Sequence, residues 1–293
     1  MSTTLTPPPA TPPGPPAEPA GARDPGSARP AAPSSAARAV AGLTVAAGAA
    51  VILFTAGTGV VSTVASGGAA TSTLTAPVDG VGAIELDAAA SDVEVSFGDV
   101  DEATLTVTGT GGADAWELNR TDDRLVVDSD RDWWSGWRLW GGSSRATLVL
   151  PVDLAGVDAD LRVGAGSLRA DGEFGALGVR AEAGSVDAAG TAESLTARVS
   201  AGRVAVDLDG VRTATVDVSA GRLSGTLAGS PPASLTVSAE AGGVDLTLPR
   251  GGYAVSSTEE AGSFISELTD DPSSRNTVHV RVSAGSVTLR ESR

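Results

Sequence analysis

One tetrapeptide recurs seven times in the second half of this chain, and it limits what the chain can fold into. It appears as Ala165-Gly166-Ser167-Leu168, Ala183-Gly184-Ser185-Val186, Ala201-Gly202-Arg203-Val204 and Ala220-Gly221-Arg222-Leu223. It returns as Ala241-Gly242-Gly243-Val244, Ala261-Gly262-Ser263-Phe264 and Ala284-Gly285-Ser286-Val287. Successive copies lie 18, 18, 19, 21, 20 and 23 residues apart. A unit this short cannot bury its own apolar face, so several must stack. Ala90-Ser91-Asp92-Val93 reads as a degenerate earlier copy.

The phase of the apolar residues says what the tetrapeptide does. From Val78 onward, apolar and polar residues alternate with period two and Gly-rich turns interrupt them, which is the pattern of strands. Leu195, Ala197 and Val199 share one face, and so do Val204, Val206 and Leu208. Val199 and Val204 are five residues apart, and a straight strand would put them on opposite faces. The same offset separates Val163 from Leu168, Val218 from Leu223 and Val282 from Val287. The chain must therefore turn at each Ala-Gly, which makes Gly166, Gly184, Gly202, Gly221, Gly242, Gly262 and Gly285 the corners of the repeats. Glycine supplies backbone freedom there, and the small alanine lets neighbouring layers approach.

The expected fold is all-β: a β-solenoid of 18–23-residue repeats. Parallel strands from successive turns would lie about 4.8 Å apart, and seven turns would stack to about 34 Å. An antiparallel sandwich or meander is the alternative, because each repeat could also be a hairpin. The whole β domain spans 78–293. Its first part, 78–150, is less regular and reads as a cap or as aberrant turns.

Upstream the composition changes. Residues 1–38 are dominated by Pro, Ala, Ser and Gly, too polar and too simple to offset the entropy of ordering, and read as a disordered tail. Residues 39–65 carry no charge, and their centre, Val45 to Phe54, is apolar. About 20 such residues cross a bilayer as a helix, so this stretch is expected to be a transmembrane helix rather than a cleaved signal, whose charged lead is usually shorter. Arg23, Arg29 and Arg38 precede it and the next Arg is Arg120, which places the N-terminus in the cytoplasm and the β domain outside. Residues 66–77 read as a linker.

At this point the residues resemble a known family, the bacterial putative-adhesin domains of unknown function. The resemblance rests on Thr147-Leu148-Val149-Leu150-Pro151, then Leu161-Arg162-Val163-Gly164-Ala165-Gly166-Ser167-Leu168, and continues through the later repeats to Val280–Leu289. It covers most of 78–293. It implies β-solenoid domains, often tethered to a membrane and linked to envelope adhesion or envelope stress, and it supplies no catalytic residue.

Charge and chemistry narrow the function further. The chain carries a net −16, of which the tail contributes one positive charge, leaving −17 for the rest. So acidic a surface repels phosphate backbones, and no nucleic-acid partner is expected. There is no Cys for a disulfide or a thiolate. The sole His, His279, alternates with Val278, Val280 and Val282 and should point outward with Arg281. Asp187, Asp207, Asp209, Asp217 and Asp245 fall near the second strand of the repeat or its edge and read as a solvated acidic face, in which some carboxylates would form a ladder if turns stack. Weak Ca²⁺ binding by such a ladder is left open, but no metal or cofactor is expected. The densest aromatic feature is Trp133, Trp134, Trp137 and Trp140 with Arg138, read as one loop. It is either a cap over the end of the stack or an exposed contact site.

The expected function is a membrane-anchored extracytoplasmic binding or scaffolding module of the cell envelope, adhesin-like, with an envelope protein or glycan as partner. The alternative is an envelope-stress sensor or regulator. A polysaccharide-acting enzyme is the third and weakest reading, and no enzyme is expected.

Overall fold

The computed structural model describes residues 54–56, 59–66, 69–109, 116–129 and 144–293. All of them belong to the unit Gly48–Arg293. The tail, most of the expected membrane span and the Trp loop lie outside the described residues.

The described residues are almost entirely strand. Nine strands precede the regular repeats: β1 (Phe54–Ala56), β2 (Gly59–Ser66), β3 (Ala69–Ala76), β4 (Ala83–Ala88), β5 (Asp92–Gly98), β6 (Ala103–Gly109), β7 (Trp116–Thr121), β8 (Arg124–Ser129) and β9 (Arg145–Pro151). The repeats contribute β10 (Val157–Val163), β11 (Ser167–Ala181), β12 (Ser185–Val199), β13 (Arg203–Asp209), β14 (Thr213–Val218), β15 (Arg222–Ala228), β16 (Ser234–Ala239) and β17 (Gly243–Leu248). The last five are β18 (Gly252–Glu259), β19 (Ser263–Glu267), β20 (Thr269–Asp270), β21 (Thr277–Val282) and β22 (Ser286–Glu291).

Each repeat forms a row made of a strand, a three-residue corner and a second strand. The first halves of the rows pair in parallel, running β4, β10, the second part of β11, the second part of β12, β14, β16. The second halves do the same, running β5, the first part of β11, the first part of β12, β13, β15, β17. This pairing between repeats is parallel, which an antiparallel meander would not give. The inward residues line up in columns: Val163, Ala181, Val199, Val218 and Ala239 on one side of the corners, and Leu168, Val186, Val204, Leu223 and Val244 on the other. Both sets are buried in one core cluster. The five-residue offset across the corner is thus satisfied, and each buried Val or Leu contributes about 1.5–3 kcal/mol.

The rows do not stack in sequence order at their far end. Strand β16 pairs with β21 and β17 with β22, and these last two strands in turn pair with β18 and β19. The final repeat is therefore inserted between its two predecessors. The inward residues explain why. The inserted row carries Val278, Val280, Val282, Val287 and Leu289, all buried. The row of β18 and β19 places Ser257, Glu259 and Ser266 at the corresponding positions. Those groups lose too much hydration inside a stack and are tolerated only on an outermost row. Glu259 turns back to accept the Phe264 N–H at 3.2 Å, and Ile265 is 53% exposed. The return link is fastened by Glu291, whose carboxylate accepts the Thr269 N–H at 2.8 Å. That bond holds the Glu291 carboxyl below its ordinary range. At the base of the row, Tyr253 is fully buried and donates to Pro249 O at 2.7 Å. Burial, and secondly the charge of Glu291, push its phenol up to about 12.

The first part of the domain mixes pairings. Strands β8 and β9 add one more row beneath β4 and β5, in parallel. Beyond them the direction reverses: β7 pairs antiparallel with β8, while β6, β3, β2 and β1 extend antiparallel from β9. The expected linker over 66–77 thus holds β3, paired with β6 along its length. The last part of the expected transmembrane helix, 54–56 and 59–65, is strand as well. Its residues include Thr55, Val60, Val61, Thr63 and Val64, whose branched side chains favour extended backbone over helix. Among the described residues no helix is long and apolar enough to cross a membrane.

Candidate functional site

The corner glycines form one column, in the order Gly166, Gly184, Gly202, Gly221, Gly242, Gly285, Gly262. A Cβ on Gly202 would lie 2.2 Å from Gly184 O, one on Gly221 2.3 Å from Gly202 O, and one on Gly262 2.6 Å from Gly285 O. No side chain fits at such distances. Backbone freedom is not the general reason for glycine, since of these seven only Gly166 has a positive φ, 133°. The expectation for alanine is also corrected. Ala183, Ala201, Ala220 and Ala241 are exposed, and the close approach belongs to the glycines. The rows are bridged through the corner by hydrogen bonds such as Ala201 N–H to Glu182 O (2.7 Å) and Arg203 N–H to Gly184 O (3.0 Å). Outside the column runs an open groove of about 550 Å³, with Ser185, Arg203 and Arg222 on its wall.

Outward side chains are also aligned in columns. Four residues before each corner glycine stand Arg162, Arg180, Arg198, Asp217, Ser238, Arg281 and Thr258, in stacking order. Six before stand Asp160, Gly178, Thr196, Thr215, Thr236, His279 and Ser256. The first arginines are neutralised: Arg162 meets Glu85 at 2.9 Å and Asp160 at 3.0 Å, Arg180 meets Asp160 at 2.8 Å, and Arg198 meets Asp217 at 3.7 Å. Half-exposed pairs of this kind contribute about 0–1 kcal/mol each, so they balance charge more than they stabilise.

No two of the five aspartates are register neighbours, so they form no carboxylate ladder. Asp217 lies on a different ladder of strands from the other four. Asp187 and Asp245 share a column with Arg169, Ala205 and Ser224 between or beside them. Arginine lies next to three of the five: Arg169 at 3.6 Å from Asp187, Arg198 beside Asp217, and Arg290 at 2.5 Å from Asp245. Among the described residues no group of three or more acidic or imidazole side chains could hold a metal ion.

His279 and Arg281 point outward from β21 while Val278, Val280 and Val282 are buried, as the alternation predicts. Ser256 Oγ lies 2.6 Å from His279 Nδ1. Sequence reasoning noted these two residues but missed their neighbours Thr236, Ser238, Ser256 and Thr258, which border an open groove of about 430 Å³ with them. The signal was the constant offset from the corner glycine, but it places them together only once the row order is known. Trp133, Trp134, Trp137, Trp140 and Arg138 lie outside the described residues. Their segment, 130–143, joins β8 to β9, where other rows have the short corner.

No protein-family model and no curated protein matches the chain. Among solved structures it is similar to a putative adhesin from Bacteroides fragilis NCTC 9343, with 14% identity and a TM-score of 0.47, covering 76% of this chain and 97% of that one. It is similar also to a putative adhesin from Parabacteroides distasonis ATCC 8503, with 12% identity and a TM-score of 0.42, covering 76% and 97%. A putative cell adhesion protein from Clostridium sporogenes ATCC 15579 has 11% identity and a TM-score of 0.40, covering 76% and 99%. These are bacterial proteins named for adhesion, as are the domains that the Ala-Gly repeats resemble.

Proposed function

We propose that the chain is a binding or scaffolding module of the cell envelope, adhesin-like and without catalytic activity, whose rows are the turns of a β-solenoid. One observation carries the reading: the register of the parallel strands lines up outward side chains row after row at fixed offsets from the glycine column. A surface of this kind repeats one polar pattern at strand spacing, about 4.8 Å, and suits an extended or repetitive partner better than a small substrate. The uncharged residues 39–53, with Arg23, Arg29 and Arg38 before them, support a membrane tether that leaves the β domain extracytoplasmic. The Trp-rich segment at the β8–β9 corner is a second candidate contact.

The test uses the full chain with a reporter after Arg293. Membrane-associated protein with an extracytoplasmic reporter, retaining envelope polysaccharide or protein when residues 1–38 are deleted, is the expected result. A cytoplasmic reporter would overturn the orientation, release into the medium the tether, and failure to retain any envelope component the binding role.

A further inference from the structure

The groove beside His279 has the wrong charge for its surroundings. The chain carries 36 acidic and 20 basic residues, and the other outward arginines of this column have carboxylate partners. Arg281 has none among the described residues. Its register neighbours are Ser238 on β16 and Thr258 on β18. Those of His279 are Thr236 and Ser256. No carboxylate lines the groove, and its only charged or titratable walls are Arg281 and His279.

This arrangement exists because the last repeat is inserted out of order. Were the repeats stacked as they follow in sequence, Arg281 and His279 would stand on an outermost row with hydroxyls on one side only. Inserted, they form a central strand with two hydroxyls on each flank, on rows about 4.8 Å away. Ser256 engages Nδ1 of the imidazole, and Nε2 has no partner among the described residues.

We propose that this groove is a binding site for an acidic saccharide, one uronate carboxylate being held by Arg281 and His279 and the sugar hydroxyls by Thr236, Ser238, Ser256 and Thr258. The planar guanidinium offers two parallel N–H donors to a planar carboxylate. The four hydroxyls each donate and accept, as sugar hydroxyls require. An uncharged sugar would use only the flanks and leave the Arg281 guanidinium unpaired. The proposal rests on the binding-module reading and names its ligand class.

The test is titration of the full-length protein with a linear hexamer of galacturonic acid and with the same hexamer methyl-esterified, which keeps the hydroxyls and removes the charge. The acid form is expected to bind and the ester to bind about tenfold more weakly or worse, the worth of a charge-assisted hydrogen bond. Arg281→Gln should remove that preference, Arg281→Lys should keep part of it, and Arg203→Gln, at the corner groove, should change nothing. Arg281 is exposed, and thermal unfolding of each variant confirms that the fold is kept. Equal binding of acid and ester, or equal losses from Arg281→Gln and Arg203→Gln, would overturn the site. If envelope material is still retained in that case, only the site falls. If it is not, the binding reading falls with it.

Discussion

Gly285 rests on Gly242, with a Cβ at 285 only 2.2 Å from Gly242 O, although Gly262 is the corner that precedes it in the chain. The contact records two facts at once: the corners touch through bare backbone, and the last repeat lies inside the stack.

The first fact predicts opposite outcomes at adjacent glycines. A Cβ at Gly242 would meet Val218 Cγ1 at 2.4 Å and Gly221 O at 2.6 Å. One at Gly243 would meet only Ser286 Oγ, at 3.6 Å. Gly242→Ala should cost about 1–3 kcal/mol, as overpacking does. Gly243→Ala should stay within about 0.5 kcal/mol. Denaturant unfolding of both variants measures the difference, and equal costs would refute the backbone contact.

Row order can be tested by crosslinking, because the chain has no cysteine. Thr236 and His279 are register neighbours, whereas Thr236 and Ser256 are separated by the inserted strand. Oxidation should join Thr236→Cys to His279→Cys, whose Cα atoms lie within the reach of a disulfide. It should not join Thr236→Cys to Ser256→Cys, about 9.6 Å apart at two strand spacings. Stacking in sequence order would reverse these results.

Tyr253 predicts a loss of stability in alkali. Its phenol is pushed up to about 12 from 10.0, so below pH 10 it is neutral in both folded and unfolded chains and its contribution is complete. Between pH 10 and 12 the unfolded chain ionises first, and stability falls. The midpoint of thermal unfolding should drop over that window in the native protein and drop less in Tyr253→Phe. Parallel slopes would assign the alkaline loss to other groups.

At the β8–β9 connection, changing Trp134 and Trp137 to Ala together should weaken association with membrane or envelope material and leave thermal unfolding unchanged. A loss of about 3–5 kcal/mol, the cost of truncating buried Trp, with no separate binding defect, would make the loop a cap.

Much of the fold was legible because alternation and an odd offset are local. Val199 and Val204 require a corner between them, and Val278, His279 and Val280 sort themselves inward and outward without reference to any other strand. Stacking order was harder to see because it depends on comparing repeats. The sign of it was present, since Ser257, Glu259 and Ser266 interrupt the apolar columns and Leu289 restores them. The role of the corner glycine was misjudged for a related reason. A forbidden contact with the row below is not visible in the residues on either side of Gly202. The antiparallel strands near β3 and β6 escaped because Thr71, Thr73 and Thr75 suit an exposed spacer as well as a half-buried strand. The groove was illegible until three repeats could be placed in order.

The inserted repeat also constrains how the molecule is made. A chain that emerges N-terminus first delivers residues 252–267 before residues 277–291. Strands β18 and β19 then lack their final neighbours, β21 and β22, which have not yet been synthesised. The outermost row must wait, or pair provisionally with β16 and β17 and be displaced. Assembly of these rows cannot follow their order in the chain, because β18 and β19 reach their final place only after β21 and β22 have paired with β16 and β17.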